Sequence, residues 1–253
     1  MAEGGGIDPI SQFEVKTMAP MEIGGWDISF TNASLFLLMA TGLVIVFFFL
    51  ASRTASMVPN RMQSVGEMSY GFIADMIRST AGEDGLKYFP FVFTLFFFIL
   101  AANLIGMWPY AFTTTSHIIV TGILAMAVFT LVTLIGIFKN GLGWLKLFAP
   151  SGVPLFVMPL LIPIEIISYF ARPLTLAFRL FANMLAGHIM LKLLVTFAAM
   201  MAGAGVVGIA GSALTVIMAV AITALEFLVA GLQAYVFAIL TCVYLSDALH
   251  PGH

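Results

Sequence analysis

The chain has 253 residues, of which 61% are hydrophobic and 9% are charged, and its formal net charge is −2. A soluble domain carries about 25% charged residues, so this composition excludes an ordinary water-soluble fold and indicates a protein embedded in a bilayer. The lysines and arginines form no basic run, and we therefore expect no nucleic acid partner.

Three ordinary membrane helices are predicted in the first part of the chain, because apolar runs of about 18 residues favour spanning helices. They cover about residues 34–51, 89–107 and 118–138. Residues 58–87 mix charged side chains with Met, Val, Phe and Ile, which predicts an amphipathic helix on the membrane interface; a solvated loop is the alternative. Residues 1–33 are interpreted as a polar N-terminal tail.

The remaining sequence predicts two helices that are too long to cross a bilayer upright. Apolar sequence runs from about residue 153 to 201 and from about 212 to 249, with a glycine-rich turn between the two runs. At 1.5 Å per residue these helices would be about 70 Å and 55 Å long, against a hydrocarbon core of about 30 Å. We expect an oblique hairpin inside the membrane, with local kinks at Pro159, Pro163 and Pro173.

The predicted fold is all-α integral membrane, with about five membrane helices plus the interfacial helix. Residues 34–249 form a single transmembrane domain, and residues 250–253 form a C-terminal tail. Basic residues follow the first and third spans, and none lies between the second and third spans. They are Arg53, Arg61, Arg78, Lys87, Lys139 and Lys146. Because Lys-rich and Arg-rich loops stay in the cytoplasm, we expect the N-terminus outside and the C-terminus in the cytoplasm.

The long hairpin contains charged and polar residues at membrane depth. They are Glu165, Arg172, Arg179, His188, Lys192 and Glu226, with Asn183 and Gln233 as uncharged companions. An arginine at the centre of a bilayer costs about 2.5 to 3.5 kcal/mol on insertion scales. We therefore expect these side chains to face protein or water and to mark a functional site.

The spacing of the charged residues predicts one polar face on each long helix. Glu165, Arg172 and Arg179 stand at i, i+7 and i+14, which places them on one stripe of the first helix. In the second helix, Glu226 and Gln233 are also i and i+7 and share a face. The two faces meet if the hairpin folds at its glycine turn.

Folding the hairpin in this way predicts a polar route through the membrane. It places His188 opposite Glu226 and Gln233 beside Arg179. Glu226 and His188 can carry protons, whereas an arginine does not lose its proton and therefore blocks them. Two half-paths separated by a fixed cation require another group to move the proton past the arginine, and we expect that group on a partner.

Less specific interpretations exist for the same residues. Arg179 could form a structural ion pair with Glu165, and His188 with Glu226 could be a packing pair. A rival from another functional class is a self-sufficient proton-coupled secondary transporter, with Glu226 as the carrier. Such transporters usually contain repeated halves, and this sequence shows no internal repeat.

The other polar residues receive structural interpretations. Arg172 and Lys192 are candidates for side chains that reach towards the membrane interfaces. His117 is expected to be solvated, and Cys242 is expected to pack in an apolar stretch. The two histidines of the C-terminal tail, His250 and His253, are too few to predict a metal site, and we expect no metal or cofactor.

Two motifs in the hairpin resemble a known family. The stretch Arg179-Leu-Phe-Ala-Asn-Met-Leu-Ala-Gly-His188 and the later Leu232-Gln-Ala-Tyr-Val-Phe resemble the signature of subunit a of rotary F-type ATP synthases. Asn103-Leu-Ile-Gly-Met-Trp-Pro109 is similar to the end of that family's second span. The resemblance covers the chain from the first span to Leu249, and the pair His188 with Glu226 resembles the mitochondrial and alphaproteobacterial arrangement.

The resemblance implies a stator subunit of the bacterial inner membrane that couples proton flow to ATP synthesis. Its partners would be a rotating ring of c subunits with essential carboxyls, b-type peripheral stalk subunits and the rest of the ATP synthase. It implies an essential Arg179 between two offset half-channels, with Glu165 near the cytoplasmic one. The residues implied for the outer half-channel are Asn183, His188, Glu226 and Gln233. No phosphate-binding loop occurs in the sequence, so we expect no catalytic site in this chain.

Overall fold

The protein is described by a computed structural model over residues 14–20, 22–23, 26–27, 29–53, 58–108, 111–148, 156–203 and 205–249. Its helices are α1 (Asn32–Arg53), α2 (Arg61–Gly85), α3 (Phe89–Gly106), α4 (Ile118–Asn140), α5 (Met158–Ala202) and α6 (Gly205–Leu249). Five helical segments of the described chain are long and apolar enough to cross a membrane. The predicted all-α integral membrane fold is therefore confirmed.

Four short strands precede α1, in a region where the sequence predicts only a polar tail. They are β1 (Thr17–Ala19), β2 (Glu22–Ile23), β3 (Trp26–Asp27) and β4 (Phe30–Thr31). β1 pairs antiparallel with β4, and β2 pairs antiparallel with β3. The side chain of Asn32 ties this region to α1, because its oxygen accepts hydrogen bonds from the backbone of Lys16 and Ala33. Strands of two or three residues are too short to show a period in the sequence.

α2 occupies most of the region predicted as an interfacial helix. Its N-cap is Asn60, whose side chain accepts a hydrogen bond from the backbone N–H of Gln63 at 2.8 Å. The helix buries Ile73, Ile77 and Ala81, which lie four residues apart on one face, against α3 and α6. Its placement on the membrane interface stays a prediction.

The turn of the long hairpin is shorter than predicted. α6 begins at Gly205, which has a φ of +77°, and the glycines at 208 and 211 lie inside the helix. A side chain at Gly211 would overlap Met201 of α5. Gly205 belongs to the turn, whereas Gly211 lies where the two helices approach closely. The sequence suggests a turn at both glycines, and the predicted start of α6 near residue 212 was therefore wrong. Pro163 and Pro173 both lie within α5.

The hydrophobic core lies between α2, α3, α4, the middle of α5 and the C-terminal half of α6. Ile99 and Phe237 are among its fully buried side chains, and Cys242 is a free, buried thiol packed among them. Towards the hairpin turn, by contrast, α6 carries mostly exposed apolar residues. The hairpin therefore presents a long apolar surface that the rest of the described chain does not cover.

Candidate functional site

Arg179 lies on the exposed side of α5, with exposed Leu174 and Phe178 near it on the helix. Within the described part of the chain it forms no hydrogen bond or ion pair, so the alternative of a structural pair with Glu165 is not observed. A cation on an apolar membrane surface is costly when it faces lipid. Arg179 therefore has no counter-charge among the residues that the structure describes.

Asn183 and Gln233 connect the two long helices one turn away from Arg179. The Nδ2 of Asn183 donates a hydrogen bond to Oε1 of Gln233 at 3.1 Å. Gln233 is only 2% exposed. The sequence predicted Gln233 beside Arg179, and the structure places its side chain on the residue one helical turn further along α5. The polar faces of the two helices do meet.

Glu226 is buried against the backbone of α5. Glu226 is 6% exposed, and neither of its carboxylate oxygens has a hydrogen-bond partner among the described residues. A Cβ added at Gly187 would overlap the Glu226 carboxylate. The register of the hairpin is one residue from the predicted one: the Glu226 carboxylate lies against Gly187, the neighbour of His188, where the missing side chain leaves the required space. No hydrogen bond joins Glu226 to His188 among the described residues, and their working as a pair stays a prediction.

His188 forms a hydrogen bond with the connection between α3 and α4. His188 is 8% exposed, and its Nε2 lies 3.1 Å from Oγ1 of Thr113. Thr113 belongs to the connection between α3 and α4, and it also donates a hydrogen bond to the carbonyl oxygen of Gly106 at 3.1 Å. The sequence feature that could have indicated a hydrogen-bonding partner for His188 is the uncharged run of hydroxyl residues from Thr113 to Ser116. Pro109 and Tyr110 of the same connection lie outside the described residues.

His117 follows this loop and is not solvated as expected. Its ring stacks on Phe112, with centroids 4.8 Å apart and an interplanar angle of 21°. Burial lowers the pKa of His117, because removal from water disfavours the charged ring. The side chain is therefore part of the packing of the loop.

Asn103 is a further buried polar residue near the hairpin. Its side chain is fully buried, and its Nδ2 donates a hydrogen bond to the carbonyl oxygen of Ala230 in α6 at 3.2 Å. Ala230 lies one turn after Glu226 and less than one turn before Gln233. The sequence marked Asn103 only as part of a family motif, since a single Asn in an apolar helix carries no spacing signal.

Arg172 ties α5 to the C-terminal end of α6. Its Nη1 lies 2.7 Å from Oδ2 of Asp247, and its guanidinium carbon lies 5.6 Å and 5.0 Å from the ring centres of Tyr169 and Tyr244. The hydroxyl of Tyr169 is 2.5 Å from Oγ1 of Thr133 in α4. Arg172 is therefore held by an ion pair and two aromatic rings, and the structure does not place it in contact with Arg179.

The other predicted residues stand apart from this cluster. Glu165 is partly buried near the start of α5, about 21 Å from Arg179 along the helix axis. Lys192 is partly buried one turn beyond His188. His250 and His253 lie outside the described residues, and the described chain contains no group of residues able to hold a metal ion.

Taken together, the hairpin places one exposed cation beside a cluster of buried groups that can donate and accept protons. The cluster contains Glu226, His188 and Gln233 from the hairpin, with Asn103 and Thr113 from the preceding segments. Buried polar groups are normally satisfied by protein or internal water. Glu226 and His188 are side chains that can bind and release a proton, whereas the guanidinium of Arg179 keeps its charge.

Residues 34–246 of the chain match the family described as ATP synthase A chain. The protein named ATP synthase subunit a in Hyphomonas neptunium is 68% identical over 244 residues, which cover 96% of each chain. The one in Maricaulis maris is 58% identical over 254 residues, covering 97% of this chain and 98% of the relative. The one in Mesorhizobium japonicum is 56% identical over 247 residues, covering 98% of both.

Proposed function

This chain belongs to the ATP synthase A chain family, and from that premise we propose that it is the proton-translocating stator subunit of a rotary ATP synthase. The rest of the ATP synthase is its partner, and the chain is a multi-pass membrane protein. In this function the chain conducts protons, and the chemistry of ATP takes place in other subunits.

The exposed face of α5 is the surface on which we place the rotating partner. Arg179 stands there without a counter-charge among the described residues, and a ring of c subunits with membrane-embedded carboxyls would supply one. A unit charge about 4 Å away, at an effective dielectric of about 20, favours the ionised carboxyl by about 4 kcal/mol. Arg179 would therefore keep the passing carboxyl ionised and prevent a proton from crossing directly.

The outer half-channel would be formed by the buried polar groups of the hairpin. Glu226 and His188 are the titratable members, and the hydrogen-bonded pair Asn183 and Gln233 lies between them and Arg179. Because each group is within one or two helical turns of the next, short transfers through intervening water would connect the outside to the ring carboxyl.

Glu165 is our candidate for the cytoplasmic half-channel. It lies on α5 on the opposite side of Arg179 from His188, and it is partly buried. The two half-channels would thus be offset along the hairpin, with Arg179 between them. A proton entering from one side must then travel on the ring before it leaves on the other side, so proton flow turns the ring.

The distribution of basic residues supports the orientation of the chain. Basic residues lie at one end of the first four helices: α1 ends at Arg53, α2 begins at Arg61, Lys87 comes just before α3, and Lys139 lies at the end of α4. We place this side in the cytoplasm, with the N-terminus outside and the C-terminus inside. The membrane would be the bacterial inner membrane, and b-type peripheral stalk subunits would hold the chain as a stator.

The observation that carries this proposal is the exposed Arg179 one helical turn from the hydrogen-bonded pair Asn183 and Gln233, with the buried Glu226 further along the hairpin. The test is ATP-driven acidification of inverted membrane vesicles with Arg179→Ala, with assembly of the complex measured in parallel. We expect assembled complexes that no longer pump. Arg61→Ala removes an exposed arginine at the start of α2 and should pump normally. Normal pumping by assembled Arg179→Ala complexes would contradict the proposal.

A further inference from the structure

The loop between α3 and α4 is buried although it connects two membrane helices. The described residues from Ala111 to Ser116 are each no more than 6% exposed. Connections usually lie at the surface, where water satisfies their polar groups. This loop instead packs against α1, α3, α4 and α5, and it places the hydroxyl of Thr113 next to His188.

The hydrogen bonds of Thr113 define which nitrogen of His188 carries a hydrogen. A hydroxyl has one hydrogen, and Thr113 donates it to the carbonyl oxygen of Gly106, which can only accept. The Nε2 of His188 lies 3.1 Å from the same hydroxyl oxygen. Because the hydroxyl hydrogen is already used, the second bond requires an N–H donor at Nε2.

We propose that Thr113 is a positioning residue that fixes the tautomer of His188, so that the mobile proton binds and leaves at Nδ1. This inference rests on the proposed function, in which His188 carries protons. In the charged ring both nitrogens carry hydrogens, and in the neutral ring the proton at Nε2 remains. The bond to Thr113 is therefore the same in both states, and the ring does not rearrange between successive transfers.

Gly106 provides independent support for this role. A Cβ added there would lie 2.8 Å from Cγ2 of Thr113 and 3.4 Å from its Cα. The loop can bring the Thr113 hydroxyl to the Gly106 carbonyl only because this position has no side chain. Glycine and threonine thus form one unit that presents an acceptor to His188.

The test compares three variants in the complete ATP synthase. Thr113→Val keeps the shape of the side chain and removes the acceptor, so Nε2–H loses its partner and the other tautomer competes. We expect ATP-driven acidification to fall about three- to tenfold with normal assembly. Thr113→Ser restores the hydroxyl and should restore pumping. Thr115→Val is the matched control, because the buried Thr115 hydroxyl has no partner among the described residues and pumping should be unchanged.

A spectroscopic measurement separates this inference from the proposed function. With ¹⁵N-labelled histidine in the purified complex, the His188 signal is assigned by its loss in His188→Gln. We expect the neutral ring to be protonated at Nε2 in the wild type and to populate both tautomers in Thr113→Val. A wild-type ring protonated at Nδ1, or unchanged tautomers in Thr113→Val, would overturn the inference. Pumping by His188→Gln at the wild-type rate would instead contradict the role of His188 as a proton carrier.

Discussion

At the scale of single residues, the position of the Glu226 carboxylate depends on Gly187. A Cβ at Gly187 would lie 2.8 Å from Cδ of Glu226 and would overlap its carboxylate. Neither carboxylate oxygen has a protein partner among the described residues, so steric contact with α5 is what defines its place. Gly187 therefore provides the space that the Glu226 carboxylate occupies.

Gly187→Ala should impair proton transfer without removing any polar group. Overpacking in a close contact costs about 1–3 kcal/mol, so the carboxylate must move or the helices must separate. We expect ATP-driven pumping to fall about tenfold. Gly122→Ala in α4 is the control, since an added Cβ there meets no atom within 4 Å. Equal pumping by both variants would show that the carboxylate position is not critical.

Charge identifies some of these residues in the sequence, and close packing identifies the others only in the structure. Arg179 and Glu226 could be singled out because ionised side chains are costly at membrane depth. Thr113 and Asn103 could not be singled out in this way. A neutral polar side chain costs little free energy in an apolar segment, and neither residue belongs to a periodic pattern in the sequence. The partner of His188 depends on how a loop folds back, which no local pattern encodes.

At the scale of secondary structure elements, the end of the hairpin is held by the pair Arg172 and Asp247. The two side chains are 23% and 35% exposed, which places them between a surface pair and a buried one. Nearby, the Nδ2 of Asn140 donates a hydrogen bond to the carbonyl oxygen of Ala248 at 2.6 Å. α4, α5 and α6 are thus joined at one end by polar contacts.

Asp247→Asn should destabilise this end of the hairpin. Breaking a buried pair costs 3–5 kcal/mol and a surface pair about 0–1 kcal/mol, so we expect an intermediate loss of about 2 kcal/mol. The measurement is the Tm of the purified complex in detergent. Asp75→Asn breaks an exposed pair with Arg78, whose atoms are 3.6 Å apart, and should leave the Tm nearly unchanged. An equal Tm for the two variants would contradict the structural role of Arg172.

Long apolar helices could be predicted from the sequence, but their ends could not. α5 and α6 follow from runs of apolar residues that exceed the bilayer thickness. The predicted start of α6 was too late in the chain, because glycines at 208 and 211 suggest a turn. In the structure both glycines lie within the helix. Tertiary packing overrode local propensity at this position.

At the scale of the whole molecule, two groups of polar residues lie on either side of Arg179 along the hairpin. His188 and Glu226 lie towards the hairpin turn, and Glu165 lies towards the other end of α5. The described remainder of the chain packs against the opposite side, which leaves the Arg179 face exposed. This asymmetry fits the proposed function, in which the exposed face meets a moving partner.

In the proposed function Arg179 separates two half-channels, and passive proton uptake is the decisive test of that role. Sealed vesicles carrying the complete complex with Arg179→Ala would receive a potassium diffusion potential without nucleotide, and proton influx would be recorded. Wild-type and Arg61→Ala complexes serve as references, with complex content measured in every sample.

We expect Arg179→Ala vesicles to take up protons at least as fast as the references, although ATP-driven pumping is lost. Without the fixed cation, ring carboxyls could exchange protons with both half-channels and no net rotation would be needed. Passive influx that falls together with pumping would show instead that Arg179 supports the proton path and does not divide it.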